Sequence, residues 1–131
     1  MDIKLQNLIL PIASKIEKIG FHKIPNKNEF VAQFRRETWI IEISIERYYT
    51  SGYMVNVIKI EGETYRSFAV WILMDIHTKI FSTPQKSYSL ESQINFIEEQ
   101  NDFVFDDHLS YFNEYVSLNR GEPTTGNSVN L

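Results

Sequence analysis

Residues Thr38 to Tyr48 constrain the fold more than any other stretch. Trp39, Ile41, Ile43 and Ile45 alternate with Ile40, Glu42, Ser44 and Glu46. Successive strand side chains point to opposite faces, so this run predicts a strand with one face in a core and the other facing water. Such a strand needs antiparallel neighbours and a layer over its apolar face. A tight turn at Arg36-Glu37 supplies the first neighbour. It pairs Phe34 with Trp39, Ala32 with Ile41 and Phe30 with Ile43, all on one face. After Thr50-Ser-Gly52, Tyr53 to Glu61 reads as the next strand. A four-residue loop there pairs Ile43 with Ile58 on the core face and Glu42 with Lys59 on the other. Glu61-Gly-Glu-Thr64 is a turn signal. The run from about Arg66 to Ile76 is apolar on both faces, the pattern of a covered strand.

The covering layer is helical. Leu5, Ile9, Ile12, Ile16 and Ile19 recur at steps of three and four, one face of a helix that Gly20 stops. Pro11 either kinks that helix or marks its start, because it removes a backbone donor. Ser89 is placed to cap a helix carrying Leu90, Ile94 and Ile97, with Glu91 near its positive end. Asn101-Asp102 interrupts it. Asp106 or Asp107 is placed to cap a last helix presenting Leu109, Phe112 and Val116. The expected architecture is α+β: an N-terminal helix, a four-stranded antiparallel meander, and two C-terminal helices on one sheet face. Residues 1–118 form this single domain, and 119–131 read as a disordered polar tail. Val31, Ile40, Val55 and Val57 fall on the outer sheet face in this register. They suggest partial cover, or a homodimer formed through that face.

Charge is distributed unevenly. The chain carries 13 Lys and Arg against 17 Asp and Glu, a net charge of −4. Residues 1–86 hold 12 basic and 9 acidic side chains, or +3, whereas residues 87–131 hold 1 and 8, or −7. Zero Cys excludes disulfide frameworks, thiol catalysis and Cys-ligated zinc. No apolar run approaches the roughly 20 residues that span a bilayer, and the N-terminus lacks a signal-peptide pattern. A cytoplasmic protein with no membrane association is expected. The 17 Ile and 10 Asn against 3 Ala are what an AT-rich bacterial or phage genome produces.

Candidate chemistry is sparse. Asp75-Ile-His77 would put a carboxylate and an imidazole on one side of a strand, as metal ligands or a base with its orienter. Glu42 and Glu46 share a strand face, as an acid–base pair would. Asp106-Asp107-His108 offers metal-ligating types, although helix capping accounts for both carboxylates. His22 has no spaced partner. Phosphate-binding glycine loops and nucleophile elbows do not occur. Arg35-Arg36 and Arg47-Tyr48-Tyr49 are basic and aromatic tips of the kind that hold single strands, but the acidic total argues against nucleic acid. These groups leave a small hydrolase or a metal-dependent enzyme as an alternative. The favoured expectation is a chain with no catalytic residues, metal or cofactor.

The acidic stretch is the least ordinary feature. Glu91, Glu98, Glu99, Asp102, Asp106, Asp107 and Glu114 repel one another unless a partner or solvent relieves them. A partner-binding surface of Glu98, Glu99, Asp102, Asp106, Asp107 and Glu114, with Tyr111 and Tyr115 as anchors, would steer a basic protein partner. The order of Ile16-Glu-Lys-Ile-Gly-Phe-His-Lys23, Phe30-Val-Ala-Gln-Phe-Arg35 and Trp39-Ile-Ile-Glu-Ile-Ser-Ile-Glu-Arg-Tyr-Tyr49 resembles small bacterial domains of unknown function. These domains begin with a helix ending in Gly-Phe. Several are regarded as immunity proteins of polymorphic toxins. The resemblance covers about residues 5–60 and implies an inhibitor of a basic nuclease toxin, with no catalytic residue to carry over.

Overall fold

The computed structural model describes residues 3–28, 30–45, 53–83 and 87–131, with side chains at 3–6, 8 and 26–28 excepted. The alternating run forms β3 (Trp39–Ile45), at the centre of the sheet as its pattern requires. Around it lie β1 (His22–Asn28), β2 (Val31–Arg36), β4 (Tyr53–Glu61), β5 (Thr64–Ala69) and β6 (Thr124–Asn127). All pair antiparallel in sequence order, giving six strands where four were expected. The helices are α1 (Ile3–Lys18), α2 (Val70–Phe81), α3 (Leu90–Glu99), α4 (Asn101–Val104) and α5 (Phe112–Asn119). They pack on the Trp39/Ile41/Ile43 face, where Phe21, Phe34, Phe68, Leu73 and Ile76 are fully buried. The α+β class and the antiparallel sheet therefore hold, while details of both layers differ.

Both predicted registers shift. Arg36 pairs with Trp39 and Phe34 with Ile41, two residues from the expected pairing, because Glu37-Thr38 forms the turn. An even shift preserves the face, so the apolar set stays inward. The β3–β4 pairing shifts by three: Ile43 faces Val55, and Glu42 faces Asn56. An odd shift exchanges the faces. Val55 and Val57 are core residues, whereas Ile58 joins Ile40 on the outer face. Lys59 lies opposite Trp39, so the expected Glu42–Lys59 pair does not form.

The run read as a fourth strand divides at Ala69. Thr64–Ala69 is strand, and Val70–Phe81 is a helix burying Val70, Ile72, Leu73, Met74, Ile76 and His77. Continuous apolar sequence suits a covered strand or a buried helix, and periodicity alone does not separate them. α1 runs through Pro11, whose ring is exposed while Ile9, Ile12 and Ile16 face the core. Gly20 ends that turn at φ +94°, with Phe21 N–H donating to the Ile16 carbonyl. Arg36, one of the basic tip residues, donates to the Ile19 carbonyl at 2.6 Å and stacks over Phe21 and Phe105. It is thus committed to closing α1.

The expected last helix, starting at Asp106 or Asp107, begins instead at Phe112. Asp106 caps the preceding turn, accepting from His108 N–H and Ser110 N–H at 3.0 Å each. The expected disordered tail is ordered at 124–130, where β6 and a 3₁₀ turn follow α5. Ser128 donates through N–H to the Glu63 carbonyl and through Oγ to that of Gly62, pinning the segment to the β4–β5 turn. Among the described residues, no helix is long and apolar enough to cross a membrane.

Candidate protein-binding face

Three of the eight C-terminal carboxylates are ion-paired within the chain, and a fourth, Asp106, caps a turn. Asp107 accepts from Lys59 Nζ at 2.8 Å and from Trp39 Nε1 at 3.0 Å. The bonds from Lys59 and then Trp39 hold its carboxyl below the usual aspartate range. Glu114 pairs with Lys79 at 2.8 Å, and Glu91 lies 4.0 Å from Lys15. The hydroxyl of Ser110 and the backbone N–H groups of the Asp106 turn lower the Asp106 pKa. Three lysines from the mildly basic first two-thirds thus reach the acidic last third. Charge asymmetry along the chain becomes pairing in space, which a one-dimensional charge count does not reveal.

Glu98, Glu99, Asp102 and Glu122 are left, none with an ion-pair partner among the described residues. The first three follow one another across the α3–α4 junction, and Glu122 lies beyond α5. Beside Glu99 runs an aromatic stack. His77 from α2 packs against Phe81 at 4.6 Å, Phe103 at 5.1 Å and Phe96 at 5.5 Å. Phe103 continues to Tyr111 at 5.5 Å, and Tyr111 to Phe68 in the core at 5.4 Å. The outer end of the stack is Phe81, 56% exposed, next to Ile80 at 51%. Glu99 opens onto a cleft of about 380 Å³ between α2 and α3, the same cleft as His77 and Phe96 of the stack.

Tyr111 and Tyr115 do not reach the surface. Tyr111 is 2% exposed and donates to the Val104 carbonyl at 2.8 Å. Tyr115 is equally internal, and its oxygen accepts from Ala69 N–H at 2.7 Å. Burial raises the pKa of both phenols. Both tyrosines brace Phe68 edge-on, whereas the exposed apolar side chains at the end of α2 are Ile80 and Phe81. The spacing expected Leu109, Phe112 and Val116 to form the inward face, but Phe112 and Val116 are only half-buried, and Tyr115 and Tyr111 turn inward beside Leu109 because α5 starts at Phe112.

The enzymatic candidates do not assemble. Asp75 and His77 lie on α2, not on a strand, and two helical positions apart they point in different directions. Asp75 accepts from the Tyr88 hydroxyl, a bond that pushes the phenol pKa up to about 12, whereas His77 Nδ1 lies 3.3 Å from Thr83 Oγ1. Glu42 is bound by Gln33 Nε2 at 2.8 Å. Glu46 and Arg47-Tyr48-Tyr49 lie outside the described residues. Among the described residues, no three His, Asp or Glu side chains converge as a metal site. In comparisons with protein-family models, curated proteins and solved structures, nothing matches this chain.

Proposed function

We propose that the chain is a non-enzymatic, cytosolic protein-binding module that occupies a basic protein partner through the α2–α3–α4 face. The observation that supports this reading is Glu99, unneutralised like Glu98 and Asp102, at a cleft lined by His77, the ring that backs the exposed Phe81. The carboxylates supply long-range attraction and orientation. Phe81 supplies a desolvating anchor whose rotamer is already restrained by His77 and Phe103, so little side-chain entropy remains to be lost on docking. A nuclease toxin is a basic partner of this kind, and blocking its nucleic-acid surface requires no chemistry of the inhibitor.

The test measures binding to a panel of basic nuclease domains at about 50 and about 500 mM salt, and binding to none of them removes the proposal. Joint replacement of Glu98, Glu99 and Asp102 by Gln should weaken binding at least about tenfold at low salt and much less at high salt. Phe81→Ala should weaken it at both. Affinity unchanged by either set removes this face from consideration.

A further inference from the structure

The outer face of the sheet carries a second site, independent of the helical face. Where β5 runs into α2, a groove of about 430 Å³ opens on that face. This volume is within the range of small-molecule sites. Its floor includes Ile58, 2% exposed and separate from the main core. Three aromatic residues line it: Tyr65 from β5, Trp71 from the first turn of α2, and the buried Tyr115 of α5. Trp71 is 45% exposed. Tyr65 depends on its neighbour, because a Cβ at Gly126 of β6 would lie 2.5 Å from the Tyr65 ring. Only glycine lets the ring lie across the edge strand there.

The groove has one charged side chain among its described lining residues, Glu42. Gln33, 2% exposed, donates to Glu42 Oε2 at 2.8 Å. A buried carboxamide thus fixes one carboxylate oxygen and leaves the other without a partner among the described residues. No lysine or arginine lines the groove to neutralise it. We propose that this groove binds a small organic cation: a protonated amine paired with Glu42, carrying an apolar or aryl body seated on Ile58 between Tyr65 and Trp71. The carboxylate and the aromatic faces both attract an ammonium group, and the apolar floor takes the rest.

Phenethylamine and its neutral counterpart 2-phenylethanol are suitable probes. Trp71 reports occupancy by fluorescence, since Trp39 is 4% exposed. Amide chemical shifts of the same sample locate the contact. The amine should bind saturably and shift residues of β4 and β5, with the alcohol about tenfold weaker or worse. Glu42→Gln, with circular dichroism and urea midpoint unchanged, should lose about tenfold in amine affinity. Gly126→Ala should weaken both probes by displacing Tyr65. No saturable amine binding, equal binding of amine and alcohol, or full affinity in Glu42→Gln would each overturn the assignment. None of these outcomes bears on the helical face.

Discussion

At the scale of single residues, the clearest assignments are those in which one side chain joins two layers. Asp107 lies on the loop before α5, yet it holds Lys59 of β4 and the indole of Trp39. Its pKa is lowered in the folded state, so it contributes stability above the unfolded value and loses that contribution as pH falls through the folded one. Asp106 and Glu61 share this direction, with Glu61 held mainly by Arg66 at 2.5 Å. Urea midpoints should therefore fall progressively below about pH 4, and Asp107→Asn should make that fall shallower. An unchanged acid limb would show that the Lys59 and Trp39 bonds do not persist in solution. Tyr111→Phe tests a different bond. Losing the buried donor to the Val104 carbonyl should cost about 1–3 kcal/mol in chemical denaturation. Gly20→Ala should cost about 1–2 kcal/mol, because a side chain disfavours φ +94° and its Cβ would meet Arg36 Cδ at 3.2 Å.

At the scale of elements, legibility followed burial pattern. β2 and β3 were readable because a half-buried strand alternates, and α1 was readable because Ile9, Ile12 and Ile16 mark one face. β1 was not, since His22–Asn28 has no apolar alternation and includes Pro25. It is an edge strand held by main-chain bonds to β2, and its lysines and proline discourage a further strand from adding. β6 was hidden for the same reason, because Thr-Thr-Gly-Asn pairs through its backbone alone. α2 was misread because its exposed side includes the apolar Trp71, Ile80 and Phe81, so no polar stripe reveals its period. The cap of α3 was legible: Ser89 Oγ accepts from Ser92 N–H at 3.1 Å, as the sequence predicted. Ser89→Ala should lower stability by about 1 kcal/mol, read from the urea midpoint. No measurable change would mean that the neighbouring Ser87 hydroxyl takes over the cap.

At the scale of the whole molecule, the division between a mildly basic first part and an acidic last part acquires a structural purpose. Lys15, Lys59 and Lys79 come from three different elements and reach Glu91, Asp107 and Glu114 across the layers. Exposed pairs of this kind are worth about 0–1 kcal/mol each and are screened by salt. Their main consequence is the charge pattern they leave. Subtracting the paired and capping carboxylates leaves Glu98, Glu99 and Asp102 at the α3–α4 junction and Glu122 beyond α5. The acidic residues of the proposed face were legible in the sequence because charge is written there directly, but that Asp107 and Glu114 are paired and Asp106 is a cap was not. Only the fold shows that Tyr111 faces inward while Phe81 ends an aromatic stack.

Association kinetics with a basic nuclease domain that binds the parent chain test the central claim most directly, since steering and anchoring separate there. Replacing Glu98, Glu99 and Asp102 with Gln should lower the association rate about tenfold at low salt and leave dissociation nearly unchanged. Phe81→Ala should accelerate dissociation with little effect on association. Association and dissociation rates identical to the parent in both variants would contradict the account.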